Sequence, residues 1–230
     1  MRVSRRVFTG TIAVAALCDG CAARSPAELS PADVVAKASA ALAAVKSVHF
    51  KLTSTGGMMA IGSGLAAGSI EGDVLRPDRL KGTAVSSFGK LTIDLGFMVV
   101  GTHQYITNPI SKQWEEVPTP VTAPNLLDPQ RGAPALLKQV TNLKRLADAS
   151  IGGVACYHLS GKIAASLIAG LVGAAGSTNL LDGELWVGTT DFLTRQIHLI
   201  GPIATNEPPG IERTLILSSF NETLTIDAPV

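Results

Sequence analysis

The sequence predicts an α+β fold in which one strongly curved antiparallel sheet holds helices on its concave side. A helical segment opens the body of the chain, and many segments with period-two alternation follow it, joined mostly by short turns. Two further helical segments interrupt this series. The chain has 230 residues, of which 46% are hydrophobic and 16% charged, which suits one domain with a substantial core.

Residues 1–20 are predicted to be an export signal and are excluded from the fold. Arg2, Arg5 and Arg6 form a basic start, and residues 7–17 form an apolar stretch too short for a membrane-spanning helix. The stretch 4–8 resembles a twin-arginine signal, although a Sec signal is also compatible. We expect residues 21–30 to be a tether and residues 31–230 to be the folded domain.

Cys21 is the predicted lipid-attachment site, because bacterial lipoproteins are cleaved just before a cysteine that then receives acyl chains. Gly20 fits the position before the cleaved bond, whereas Asp19 and Cys18 depart from the small apolar residues usual before it. The alternative is that Cys21 only lies near an ordinary cleavage site. Acyl chains on Cys21 would hold the exported protein on the outer face of the plasma membrane, within the periplasmic space of the envelope.

The first helix begins at Ser30-Pro31, with Ser30 as the N-cap, and ends near residue 46. A strand is predicted at 48–53, and a hairpin at 69–75 and 79–88. Residues 58–65 are predicted to form a loop or a bent strand edge. Gly62-Ser63-Gly64 is not followed by Lys and Ser or Thr, so it indicates a flexible rim rather than a phosphate loop.

The most apolar strand covers residues 91–100, and the rest of the sheet is expected to form around it. Its inner face repeats at period two, with Thr92 and Asp94 on the outer face. Beyond Gly96 both faces are apolar. The inner face of the preceding strand carries Gly82, Ala84 and Ser86, whose small side chains would leave space beneath the sheet. That apolar surface covers either a packed core or a bound apolar ligand.

The remaining elements complete the antiparallel series. Strands at 103–107 and 113–117 precede a proline-rich segment and a helix that begins near Pro134. Strands follow at 143–149 and 154–162. A third helix at 164–172 is apolar almost all round and is therefore predicted to be buried. The last strands are predicted at 183–187, 193–200 and 211–220.

Composition and motifs argue against catalysis and nucleic-acid binding. The formal net charge is +1, and no basic stripe is present. No nucleophile elbow or zinc-binding helix motif occurs, so we expect no enzyme, cofactor or metal. Four histidines stand alone in strands, on solvent-facing positions: His49, His103, His158 and His198. Cys156 is expected to be a buried small hydrophobe.

The sequence resembles the LppX/LprA/LprF/LprG family of actinobacterial cell-envelope lipoproteins, from about Asp33 to the C-terminus. The resemblance rests on several short segments: Lys46-Ser47-Val48-His49, Phe97-Met98-Val99-Val100 followed by Tyr105, Leu127-Asp128-Pro129, Leu159-Ser160-Gly161-Lys162-Ile163, Glu184-Leu185-Trp186-Val187 and residues 215–225. It implies a half-barrel, similar to the LolA/LolB carriers, that encloses an apolar cavity for acylated lipids or glycolipids. Family members are associated with moving such lipids from the plasma membrane towards the outer envelope.

With this resemblance, the apolar inner faces become the expected wall of a lipid cavity. The predicted wall residues are Val48, Phe50, Leu52, Gly82, Ala84, Ser86, Leu91, Ile93, Leu95, Phe97, Val99, Leu167, Ile168, Leu171 and Val172. A monomer is expected. The alternative function is a lipid-anchored adaptor or structural envelope protein with a packed core that recruits an envelope transporter.

Overall fold

The computed structural model describes residues 29–61, 65–88, 91–118, 126–172 and 176–229, with the side chains of 61, 65, 87, 88, 91, 171 and 172 excepted. The predicted export signal, Cys21 and the Gly62-Ser63-Gly64 rim therefore lie outside the described residues. Three helices are described: α1 (Pro31–Ala44), α2 (Ala133–Leu137) and α3 (Ala165–Val172). The strands are β1 (Ser47–Thr55), β2 (Met59–Ile61), β3 (Leu65–Ala67), β4 (Ser69–Leu75), β5 (Arg79–Phe88), β6 (Leu91–Val100), β7 (His103–Thr107), β8 (Trp114–Glu116), β9 (Thr141–Arg145), β10 (Ala149–Ile151), β11 (Val154–Ala164), β12 (Leu180–Gly188), β13 (Thr194–Ile200) and β14 (Glu212–Ser218).

The strands form one open antiparallel sheet. Among the described residues its order is β10-β11-β12-β13-β14-β1-β4-β5-β6-β7-β8, with β9 paired to β11, which makes 12 strands. Strand β1 lies in the middle of the sheet and pairs with β14 on one side and β4 on the other. β2 and β3 form a separate two-stranded sheet. The predicted curved antiparallel sheet, a half-barrel, is confirmed.

Helix α1 packs back over one end of the sheet because only two residues separate it from β1. The Ser30 hydroxyl accepts a hydrogen bond from the Asp33 amide at 3.1 Å, as expected of an N-cap. Leu42 is fully buried and shares a packed cluster with Val48 of β1 and Leu80 of β5. This first cluster also takes residues from α2, β11 and β12. It fills the end of the concave side at which β1 begins.

A second, smaller cluster lies at the other end, around α3. Ala165 and Ala169 are buried there with Ile163, Leu181 and Ile203. The prediction that α3 is buried all round is wrong, because Leu167 on its first turn is 40% exposed. Among its described side chains, Ala165, Ile168 and Ala169 meet other elements, so apolar composition alone overstated its burial.

Three segment boundaries differ from the sequence-based expectation. The strand predicted at 143–149 is divided into β9 and β10, which pair with different parts of β11. α2 is only five residues long, and the predicted helical residue Leu143 lies in β9. Residues expected to be a loop or a bent strand edge form β2 and β3. Short elements of this kind depend on tertiary pairing more than on local periodicity.

Candidate functional site

A single line of aliphatic side chains crosses the inner face of the sheet. Strand pairing places these residues opposite one another in the order Leu95, Ala84, Ile70, Leu52, Leu215, Ile197, Leu185 and Leu159. We call these eight residues the aliphatic row. They come from eight neighbouring strands, so the row extends roughly 34 Å along the curved sheet at ~4.8 Å per strand.

The row is covered at one end and open along its middle. Leu159 is fully buried and Leu185 is 8% exposed, both within the first cluster. Leu52, near the middle, and Leu95, at the far end, are partly exposed and belong to neither packed cluster. Ile70, Ile197 and Leu215 touch the first cluster but also remain partly exposed. The inner face therefore offers an accessible apolar strip rather than a fully packed core.

The expected space beneath the small residues of β5 is occupied. A Cβ added to Gly82 would lie 2.5 Å from Cζ of Phe97, so that ring already covers the glycine. Ala84 is only 6% exposed. The Ser86 hydroxyl donates to the Ala66 carbonyl oxygen of β3 at 2.6 Å. The small side chains thus admit the Phe97 ring and the β3 backbone, and the prediction of open room there is wrong.

The structure separates the predicted wall residues into several groups. Leu52, Ala84 and Leu95 lie in the aliphatic row, and Ile93 and Phe97 are partly exposed beside it. Three others lie inside the first cluster beneath α1, which corrects their assignment to an open wall: Val48, Phe50 and Val99. Ile168 packs against the second cluster, whereas Leu167 points to solvent. Cys21 and the side chains of Leu91, Leu171 and Val172 lie outside the described residues.

Sequence reasoning missed five members of the row: Ile70, Leu159, Leu185, Ile197 and Leu215. All five lie on strands that the alternation predicted, and each stands on the inner face of its strand. What the sequence lacked was the register that puts β13, β14, β1 and β4 side by side. Since β14 reaches β1 only through long-range pairing, no local signal places Leu215 opposite Leu52.

The outer face of the sheet is largely polar, and several of its charged groups form ion pairs. A groove of about 540 Å³ there is lined by residues of β9, β11, β12 and β13, in which charged and polar groups alternate with Leu143 and Ile200. Lys162 and Asp182 are 2.5 Å apart, and His158 and Glu184 are 2.9 Å apart. His198 contacts the Thr214 hydroxyl at 3.1 Å. The other two histidines also have carboxylate partners, Asp73 for His49 and Glu116 for His103, at 2.8 Å each.

The described residues hold no cluster of metal ligands, and their one cysteine is buried. No group of three metal-ligating side chains occurs in this part of the chain. Burial raises the pKa of the Cys156 thiol, and this cysteine is fully buried in β11, so it is a poor nucleophile. None of the described helices is long and apolar enough to span a membrane. The aliphatic row can offer dispersion contacts and exclusion of water, which is binding chemistry rather than catalysis.

Comparison with known proteins agrees with this architecture. The family described as LppX_LprAFG lipoprotein matches residues 30–226. The solved structure of LprF from Mycobacterium bovis is 21% identical with a TM-score of 0.70, over 86% of this chain and 96% of LprF. LppX from Mycobacterium tuberculosis is 20% identical with a TM-score of 0.61, over 86% of this chain and 98% of LppX. A comparison with curated protein sequences finds no match. Because the family match spans most of the sequence, the chain belongs to the LppX/LprAFG lipoprotein family and shares its half-barrel fold.

Proposed function

We propose that this protein binds the acyl chains of a lipid or glycolipid along the aliphatic row and carries the lipid between the plasma membrane and the outer envelope. The observation that supports this most is the partial exposure of the row at its middle and at its Leu95 end. Leu52 and Leu95 are aliphatic side chains on the inner face of the sheet that have no place in either packed cluster. A purely structural domain would gain stability by covering them.

The energetics of lipid transfer fit such a surface. Two long acyl chains contain roughly 30 methylene groups, and exposing them to water would cost on the order of 24 kcal/mol at ~0.8 kcal/mol each. No non-covalent complex supplies more than about 21 kcal/mol. A carrier therefore needs a surface that resembles the bilayer interior, with few hydrogen-bonding groups. The row, built from Leu, Ile and Ala, meets this requirement.

The proposal includes an anchor at Cys21 on the outer face of the plasma membrane. Residues 22–30 would span at most ~30 Å when extended, at ~3.3 Å per residue, so the anchored domain would stay near the bilayer surface. In cells fed radiolabelled palmitate, we expect label on the wild-type protein and none on Cys21→Ala. Label that persists in Cys21→Ala would refute this anchor and leave the lipid-binding row untouched.

The carrier activity is tested with vesicles. Purified Cys21→Ala protein, which lacks the anchor, is mixed with donor vesicles containing a fluorescent acylated lipid and with unlabelled acceptor vesicles. We expect transfer to rise in proportion to protein concentration, and labelled lipid to elute with the protein in gel filtration. Transfer equal to the protein-free rate, with no label on the protein, would contradict the carrier function.

A further inference from the structure

A buried ion pair lies on the inner side, at the end of the sheet away from α1. Arg213 projects from β14 two residues before Leu215 of the aliphatic row, and its register neighbours are Ser54 and Leu199. It pairs with Glu207, which belongs to the segment between β13 and β14. The two side chains are 4% and 3% exposed, respectively. Burying charged side chains this deeply destabilises the fold through desolvation unless their hydrogen-bonding partners are well placed.

Glu207 binds more than the arginine. Its Oε1 accepts a hydrogen bond from the Ala60 amide of β2 at 2.9 Å. Its Oε2 accepts from the amides of Ile203 and Ala204 at 2.7 and 3.0 Å. Arg213 in turn donates to the Gly201 carbonyl oxygen at 2.8 Å. One carboxylate therefore connects β2, the 201–211 segment and β14.

The sheet of β2 and β3 lies against the inner face at this same end. The Ser86 hydroxyl donates to Ala66 of β3, and Ser86 stands two residues beyond Ala84 of the row. Met59 of β2 is only 3% exposed and Ala67 of β3 is fully buried. A Cβ added to Gly57, just before β2, would lie 2.8 Å from the Pro208 side chain. β2 and β3 thus cover the end of the inner face next to the partly exposed part of the row.

Among the described residues, the hydrogen bond from Ala60 to Glu207 joins β2 to the main body of the protein, beside the packing of the buried Met59. β2 and β3 pair only with each other in the described sheet topology, and β2 has no strand partner in the large sheet. The Ala60 amide points to Glu207 and away from the pairing with β3. A hydrogen bond to a buried charged acceptor is among the stronger polar contacts in a protein. This carboxylate therefore supplies a strong polar contact that adds to the packing of Met59 in holding β2 in place.

We propose that Glu207 and Arg213 form a latch that holds β2 and β3 over the end of the inner face beside the aliphatic row and sets the rate at which lipid enters and leaves. This regulation rests on the proposed carrier function. Opening of β2 breaks the hydrogen bond from Ala60 and the packing of Met59, and it leaves the two charges paired. Lipid exchange is then limited by the opening of β2 rather than by contacts along the row.

Two variants test the latch. Ala60→Pro removes the N–H that donates to Glu207 and also fixes φ at residue 60, whereas Glu207→Gln removes the charge and keeps the side-chain shape. Asp182→Asn is the matched control, because it breaks an exposed ion pair with Lys162 on the outer face near the same end of the sheet. Amide hydrogen exchange is measured over β2 and residues 203–204, and the exchange of a fluorescent phospholipid is measured with phosphatidylcholine vesicles.

For Glu207→Gln we expect exchange of the β2 and 203–204 amides, and release of lipid, to accelerate by about 10- to 100-fold. Ala60→Pro should accelerate lipid release similarly while leaving the 203–204 amides protected. Asp182→Asn should behave as the wild type. Unchanged amide exchange in Glu207→Gln would overturn the latch, and faster amide exchange with unchanged lipid release would overturn its control of lipid. Wild-type protein that takes up no lipid would overturn the carrier function and lipid gating together, whereas amide exchange would still decide whether Glu207 holds β2.

Discussion

Replacing Leu95 by Asp should damage lipid binding far more than folding. Leu95 ends the aliphatic row on β6, is partly exposed and lies outside both packed clusters. Because the side chain is incompletely buried, its loss should lower the free energy of unfolding by only ~1–2 kcal/mol. In the lipid-bound protein the new carboxylate would face acyl chains. An aspartate in a hydrocarbon environment costs about 2.5–3.5 kcal/mol, which is about 70- to 400-fold in affinity.

The assay pairs two measurements on each variant: titration with a fluorescent acylated lipid, and urea unfolding in the absence of lipid. Thr92→Asp is the control, since it introduces the same charge on the exposed outer face of the same strand. Leu80→Ala is the opposite control, because Leu80 is 1% exposed within the first cluster and should lose ~2–5 kcal/mol of stability. If the Kd of Leu95→Asp for the lipid is within about threefold of the Kd of Thr92→Asp, the two binding free energies differ by less than ~1 kcal/mol. In that case the row is not the lipid surface.

Three further predictions concern packing and charge. Gly82→Val should cost ~1–3 kcal/mol of stability in urea unfolding, because its Cβ would lie 2.5 Å from the Phe97 ring and 2.5 Å from the Glu71 carbonyl oxygen. Gly210→Ala is the control and should be nearly neutral, because nothing lies within 4 Å of the added Cβ. Ser39→Ala should lower the free energy of unfolding by ~1–3 kcal/mol, because the buried Ser39 hydroxyl donates to the Pro134 carbonyl oxygen at 2.7 Å and joins α1 to α2. An unchanged midpoint of urea unfolding would contradict this. Burial raises the pKa of the Glu207 carboxyl, but hydrogen bonds from Arg213 and from the Ala204 and Ala60 amides outweigh it and hold the pKa below its ordinary value of 4.5. The stabilisation from Glu207 is therefore complete above pH 4.5 and is lost as pH falls through the lower folded-state pKa, so the wild type should lose more stability than Glu207→Gln between pH 5 and pH 3 in urea titrations.

The sequence was sufficient for the fold because its signals are local and repeated. Alternation in β1, β5, β6 and β11 distinguishes inner from outer faces, and the Ser30-Pro31 start places α1 correctly. The curved sheet then follows from a long antiparallel series that must bury one face. The sequence could not place β2 and β3, since three-residue strands gain their stability from what they touch rather than from their own periodicity.

The site was predictable by face but not by position. Period-two spacing selected Leu52 and Leu95 correctly as inner-face residues, yet the same reasoning selected Val48 and Val99, which are buried in the first cluster together with residues of α1. Which part of an apolar face remains open depends on where a helix folds back, and that depends on tertiary packing. The buried pair of Glu207 and Arg213 was also beyond reach, because a carboxylate in a Pro- and Gly-rich turn normally indicates a solvated loop.

The central claim, that the inner face of this half-barrel holds a lipid, is tested most directly by purifying the protein from its own host and extracting it with organic solvent. Mass spectrometry of the extract should find acylated lipid in an amount stoichiometric with the protein. The amount should fall sharply for Leu95→Asp and stay the same for Thr92→Asp. Folded wild-type protein that yields only the trace lipid also found with Leu95→Asp would contradict the claim.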